Sequence, residues 1–205
     1  CMNRAHLLDE YQLLQPKYHI FIDDKFYKGE WGADIIDKIL RLNKNVNFIF
    51  NVKWSKNKYF KDKVIKDKKI KIIWIDNRLF LNKYNIKFLK VALTKPTYGG
   101  AVFGAILAFL AYTKPKSIIF AGVEANGLCY ELTESQSSHF YGNNLENKKK
   151  NITNYINDLD QMSITLNQYK YWSKYFESKN IPIYNCTGAG ILNMFKKKKI
   201  QDVLE

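Results

Sequence analysis

The sequence contains few cysteines and has no long apolar run. Its three cysteines, Cys1, Cys129 and Cys186, are an odd number without zinc-site spacing, which argues against a disulfide framework and favours a reducing compartment. No run of about 18 apolar residues occurs, so no transmembrane helix is expected. The first ten residues have neither the basic start nor the apolar segment of a secretory signal. These absences predict a cytoplasmic protein.

Acidic residues are also scarce, because 19 Asp and Glu face 33 Lys and Arg and leave a net charge of +14. A surplus of this size suits nucleic acid, an anionic membrane surface or a small phosphorylated substrate. Lysine, asparagine and isoleucine dominate the whole sequence, so a compositional bias spread over the surface explains the charge equally well. One stretch, Phe195–Lys199 (FKKKK), resembles the start of a membrane-apposed tail.

Short apolar runs alternate with helical patterns along the chain. Three segments, Gly32–Asn43, Gly99–Tyr112 and Asp160–Lys179, carry the apolar spacing of helices. The alternation predicts one α/β domain over residues 1–205, with a Rossmann-like three-layer α/β/α architecture and a mainly parallel sheet. Five runs rich in β-branched and aromatic residues predict its strands: Tyr18–Asp23, Val46–Val52, Ile70–Asp76, Ser117–Val123 and Ile181–Asn185.

Two segments that follow predicted strands are candidates for ligand binding, because loops at the carboxyl ends of parallel strands hold the ligands of such sheets. Leu93–Ala101 leads into a helix through Gly99 and Gly100. Its free N–H groups suit a phosphate, although the two glycines also suit tight packing of the helix on the sheet. The second segment, Glu124–Asn151, is a long loop, which is usually functional or disordered.

The three histidines have different surroundings in the sequence. His6 and His19 lie among apolar residues and are predicted to be structural. His139 lies in the polar stretch SQSSHFYGNN, where a histidine near its ordinary pKa can exchange protons. Asp158 and Asp160 form an Asp-x-Asp pair of the kind found in metal–nucleotide-sugar sites, but their position at a predicted helix start favours helix capping.

The order of several motifs resembles that of the bacterial sialyltransferases of glycosyltransferase family forty-two, which build lipooligosaccharide caps. The motifs are CMNRAHLL, KPTYGGAVFGAILAFLAY, IIFAGVEANGLCY and SSHFYG. The wider superfamily includes proteins similar to hydroxymethylpterin diphosphokinase and to motility accessory factors, and NRAHLL, HFYG and NCTGAGILNMF resemble these at least as much. The family begins with a strand and a Gly-Asn-Gly-Pro-Ser loop that holds the nucleotide. This chain is expected to start just after that element.

The resemblance implies a transfer of sugar from a CMP-sugar donor to a hydroxyl of a glycan or lipooligosaccharide acceptor. His139 matches the general base, and Tyr130 approximates a tyrosine that hydrogen-bonds the departing phosphate. Lys95 falls near a donor-contacting arginine, although lysine lacks the bidentate fork of arginine. Neither a metal nor a cofactor is implied, because Tyr130, Lys95 and helix-start N–H groups would stabilise the phosphate. The residues implied to bind the donor are Asn3, Lys95, Thr97, Gly99, Gly100, Gly122 and Glu124.

Two other functions remain open. A pyrophosphokinase that uses ATP and magnesium would need carboxylates such as Glu124, Asp158 and Asp160 to converge. A non-catalytic nucleotide-binding or nucleic-acid-binding protein would explain the basic surface, with steep salt dependence. The glycosyltransferase hypothesis instead implies no nucleic-acid partner, and it is compatible with a homo-oligomer and with peripheral contact at the inner face of the membrane.

Overall fold

The computed structural model describes residues 1–66, 68–77, 102–125, 152–188 and 190–204. These residues fall into two compact units. The first unit holds residues 1–66, 68–77 and 102–112, and the second holds residues 113–125, 152–188 and 190–204. Each unit contains helices and a parallel sheet, so the mixed α/β class is confirmed. Whether the chain is one domain stays a prediction.

The sheet of the first unit contains β1 (Tyr18–Phe21), β2 (Asn47–Asn51) and β3 (Lys71–Ile75), in that order and all parallel. A further parallel bridge joins Met2 to Ile20 at the outer side of β1. The helices of this unit are the 3-10 helices Ala5–Leu7 and Val52–Lys56, the π-helix Phe60–Ile65, and α1 (Tyr11–Leu14), α2 (Asp24–Tyr27), α3 (Ile35–Leu42) and most of α4 (Val102–Thr113).

Apolar side chains cover both faces of this first sheet, because successive residues of a strand point to opposite faces. One face carries Phe21 and Phe50, whose rings lie 6.0 Å apart, together with the buried isoleucines of α3. The other face carries Ile20 and Ile49, which pack with Phe109 of α4. Full burial of each such side chain stabilises the fold by about 1.5–3 kcal/mol. This two-sided burial explains why the strands are almost continuously apolar.

The second unit contains β4 (Ile118–Phe120), β5 (Ile183–Asn185) and β6 (Lys196–Lys197), again in chain order and parallel. The long helix α5 (Ile152–Ser178) precedes β5, and the short helix α6 (Gln201–Leu204) follows β6. Tyr169, Trp172 and Phe176 are buried along one face of α5, at the spacing of three and four residues that places side chains together.

All five predicted strands are confirmed, each shorter than its apolar run. The predicted start of the last long helix is wrong, because α5 begins at Ile152 rather than at Asp160. Asp158 and Asp160 therefore lie inside a helix, and the prediction that they cap it is wrong. The apolar spacing was misleading here, since Ile156 and Leu159 are about half exposed. Among the described residues, no helix combines the length and the apolar character needed to cross a bilayer.

Candidate functional site

Polar residues follow all three strands of the first sheet at the point where each strand ends. Asp23 and Asp24 come after β1, Asn51 ends β2 and Lys53 follows it, and Asn77 comes after β3. Because the strands are parallel, these residues share the carboxyl edge of the sheet, where open α/β sheets bind their ligands.

Hydrogen bonds and an ion pair connect these three strand ends. The Asn51 side chain is buried, with its Nδ2 donating to the carbonyl of Asn77 at 3.0 Å and its Oδ1 accepting from the Lys53 N–H at 3.1 Å. The Lys53 ammonium then lies 2.7 Å from a carboxylate oxygen of Asp24. Both charged side chains are about half exposed, so this pair adds at most about 1 kcal/mol. Asn51 is thus the residue that joins the end of β2 to the segment after β3.

Asn3 lies beyond β1 at the outer side of the same sheet and has two unusual features. Its φ is 46°, in the left-handed region that non-glycine residues seldom adopt, although asparagine tolerates it best. Its side-chain Oδ1 is buried, and no donor among the described residues reaches it. A buried acceptor left unpaired costs about 1–3 kcal/mol. Strain and unpaired polar atoms of this kind concentrate at ligand-binding positions.

Two hydrogen bonds of the His19 ring connect Asn3 to the core. Nε2 of the fully buried His19 lies 2.7 Å from the Asn3 carbonyl oxygen, and the Tyr11 hydroxyl lies 2.7 Å from His19 Nδ1. A carbonyl can only accept, so His19 carries its proton on Nε2 and donates it to Asn3, while Nδ1 accepts from Tyr11. The imidazole also stacks on Phe21, with ring centroids 4.7 Å apart.

Burial keeps both histidines of this region neutral. It lowers the pKa of His19 to about 3, against the opposing effect of the hydrogen bond to Asn3. It also lowers the pKa of His6 to about 4, and the positive charges of Arg4 and Lys38 act in the same direction. The two histidines predicted to be structural are therefore buried neutral groups, and one of them contacts a predicted site residue.

In the second unit, the loop after β4 is bonded to the loop after β5. The Val123 N–H donates to the Thr187 hydroxyl at 3.1 Å, and the Thr187 N–H donates to Asn185 Oδ1 at 2.9 Å. The Ile191 N–H donates to the Glu124 carbonyl at 3.0 Å. These bonds hold Glu124 through its main chain, at the carboxyl edge of the second sheet.

Two glycines in these loops differ in what surrounds them. Gly190 has a φ of 100°, and a Cβ there would lie 2.3 Å from the Glu124 carbonyl oxygen, so only glycine fits. Gly122 has a φ of 70°, is exposed, and would place a Cβ more than 4 Å from any neighbour among the described residues. Among the described residues, nothing covers this side of the Gly122 backbone.

A cavity of about 300 Å³ lies in the first unit away from the polar edge. Its lining includes Pro16 and Tyr18, at the start of β1, and the apolar side chains of Ile49, Ile106 and Phe109. The lining also includes Lys17 and Cys1 but is mostly apolar, so it suits an apolar group better than a charged nucleotide. The described residues also contain no group of three His, Cys, Asp or Glu side chains that could hold a metal ion.

The predicted site residues are only partly described by the structure. Asn3 lies in the first unit, and Gly122 and Glu124 share one loop in the second. Sequence reasoning missed Asn51 and Thr187, whose signal was an asparagine ending a predicted strand and the polar stretch NCTGAG after another. The predicted residues outside the described ranges are Lys95, Thr97, Gly99, Gly100, Tyr130 and His139.

The fold and these edges define a mixed α/β protein with parallel sheets and polar residues at their carboxyl ends. No known protein-family profile matches the chain, and comparisons with curated proteins and with solved structures give no significant match. The likeness to sialyltransferases therefore rests on the motifs, and the activity is a proposal.

Proposed function

We propose that the chain forms a Rossmann-like, three-layer α/β/α domain of a sialyltransferase-type glycosyltransferase. It transfers a sugar from a CMP-sugar to a hydroxyl of a glycan or lipooligosaccharide. The observation that carries the proposal is Asn3, whose amide oxygen is buried, meets no donor among the described residues, and belongs to a strained backbone beside the carboxyl edge of a parallel sheet. A nucleotide supplies the missing donor through its amino or ribose hydroxyl groups.

In the proposed reaction, the acceptor hydroxyl attacks the anomeric carbon of the donor sugar. A carbon–oxygen bond forms to the acceptor while the bond to the phosphate breaks, and CMP leaves with the bonding electrons. His139 takes the hydroxyl proton, and Tyr130 and Lys95 stabilise the charge on the departing phosphate. This mechanism uses no metal and no cofactor.

Calorimetry with CMP, UDP and ATP, each with and without magnesium, tests the proposal. CMP is expected to bind without metal, and Asn3→Ala is expected to weaken binding about tenfold through loss of one hydrogen-bond acceptor. Asn167→Ala is the matched control, because Asn167 is exposed on α5 and its side chain donates to the Ser163 carbonyl of the same helix. Magnesium-dependent preference for ATP would instead support the pyrophosphokinase, and absence of CMP binding would refute the proposal.

The catalytic assignment has its own test at His139. His139→Ala is expected to lower turnover roughly 10²–10⁴-fold, as expected for loss of a general base, while CMP affinity changes little. Activity of the unaltered chain is expected to rise with pH through about 6.5, because the base has to be neutral. Nearly intact activity in the variant, or an unchanged pH profile, would show that His139 is not the base.

The proposed membrane contact rests on the end of the second unit. Lys196, Lys197 and Lys199 are exposed, and so are Ile200, which directly precedes α6, and Leu204, which ends it. Each lysine near an anionic surface contributes about 1 kcal/mol, and apolar side chains beside lysines suit a lipid interface. Phe195 anchors this segment, because it is buried with its ring 5.3 Å from that of Phe120.

Sedimentation with neutral and anionic vesicles decides whether this surface binds lipid. Replacing Lys196, Lys197 and Lys199 by glutamine is expected to weaken binding to anionic vesicles about 100-fold, at about 1 kcal/mol per lysine. The matched control replaces the exposed Lys58, Lys61 and Lys63 and removes the same charge elsewhere. Equal losses in both variants would show that only net charge matters.

A further inference from the structure

We infer that His19 is a positioning residue for nucleotide binding, because its Nε2–H holds the main chain of Asn3 where the Asn3 side chain meets the ligand. This inference rests on the proposed function. It adds a residue that the sequence pattern assigned to the core and that the proposed reaction does not use.

The main chain around Asn3 is held on both sides of its side chain. The Asn3 N–H donates to the Ile20 carbonyl at 2.9 Å, and the Asn3 carbonyl accepts from His19 Nε2 at 2.7 Å. Asn3, with its left-handed φ of 46°, is thus held by one hydrogen bond at its N–H and another at its carbonyl. A strained backbone persists only where its surroundings over-determine it, and these bonds provide that constraint.

The direction of the His19 bond is fixed by the Asn3 carbonyl, which can only accept, so Nε2 is the protonated nitrogen. Nδ1 then carries no proton, and the Tyr11 hydroxyl, 2.7 Å away inside the core, donates to it. With the proton on Nδ1 instead, a lone pair would face that carbonyl and the contact would be repulsive. The two hydrogen bonds, from Tyr11 to His19 and from His19 to Asn3, can therefore run in only one direction.

The proposal predicts that only one nitrogen of His19 matters to the ligand. His19→Gln places an amide group near the position of Nε2 and can still donate to Asn3. His19→Asn places its amide near the position of Nδ1, keeps a partner for Tyr11 and loses the bond to Asn3. Both variants replace a buried imidazole by a smaller amide, so each is the stability control for the other.

The measurements are the CMP affinity, by calorimetry, and the backbone amide resonance of Asn3 in the full chain without ligand. We expect His19→Asn to weaken CMP binding about tenfold, as for one lost hydrogen bond, and to shift the Asn3 resonance. His19→Gln is expected to stay within about threefold of the unaltered chain, well below that loss. Tyr11→Phe, which leaves the ring in place and removes only the donor to Nδ1, is expected to keep the Nε2 bond to Asn3 and to stay within about threefold of the unaltered chain.

The possible outcomes separate this inference from the proposed function. If the CMP affinity of both variants falls only in proportion to their loss of folding stability, His19 is only a core residue and the inference is wrong. A shifted Asn3 resonance with unchanged CMP affinity would also overturn it, while leaving CMP binding in place. If the unaltered chain binds no CMP, the proposed function fails and the inference fails with it.

Discussion

Mild acid is expected to destabilise the first unit, because two buried histidines have to stay neutral in the fold. The pKa is about 3 for His19 and about 4 for His6, whereas both have an ordinary value of 6.5 when the chain unfolds. The unfolded chain therefore takes up protons first, so the stabilisation is complete above pH 6.5 and is lost as the pH falls toward 4 and then 3. From pH 7 to pH 5 the loss is ~2 kcal/mol per histidine and ~4 kcal/mol for both, at about 1.36 kcal/mol per pH unit.

Urea titrations at pH 7, 6 and 5, followed by tryptophan fluorescence, measure this loss. A Trp172→Phe background leaves Trp31, Trp54 and Trp74, which all lie in the first unit. His6→Leu is expected to halve the fall to ~2 kcal/mol, because one titrating group remains. Carboxyl groups with ordinary pKa values near 4 titrate mostly below this range. Equal unfolding free energies at pH 7 and pH 5, or a full fall in the variant, would refute the reasoning.

Three further predictions concern stability, measured as the free energy of unfolding in urea. Gly190→Ala is expected to cost more than about 2 kcal/mol, because its Cβ would overlap the Glu124 carbonyl, whereas Gly122→Ala costs only about 1–2 kcal/mol of backbone strain; equal losses would contradict the close contact. Asn51→Ala is expected to cost about 1–2 kcal/mol through a lost cap and the lost hydrogen bond to the Asn77 carbonyl, and a loss below about 0.5 kcal/mol would show that Asn51 does not hold the edge together. Phe195→Ala is expected to cost about 3–5 kcal/mol as a cavity in the second unit, and a near-neutral result would mean that its segment is not anchored.

The strands could be predicted because a strand that is buried on both faces is apolar at nearly every consecutive residue. Val46–Val52 is apolar nearly throughout, and the strand Asn47–Asn51 has helices against one face and α4 against the other. Lys196–Lys197 could not be predicted as a strand, because lysine pairs carry no apolar pattern. That strand exists through its register with β5, in which Tyr184 pairs with Lys196.

The candidate site also depends partly on local sequence and partly on tertiary structure. The motif order alone indicated Asn3, and apolar neighbours alone indicated that His19 lies in the core. The bond between them joins residues sixteen positions apart, and it exists because residues 1–3 lie beside β1. Local residue patterns decide which segments become strands and which residues are buried. Partners of a buried polar atom depend on strand order and register, which only the packed tertiary structure determines.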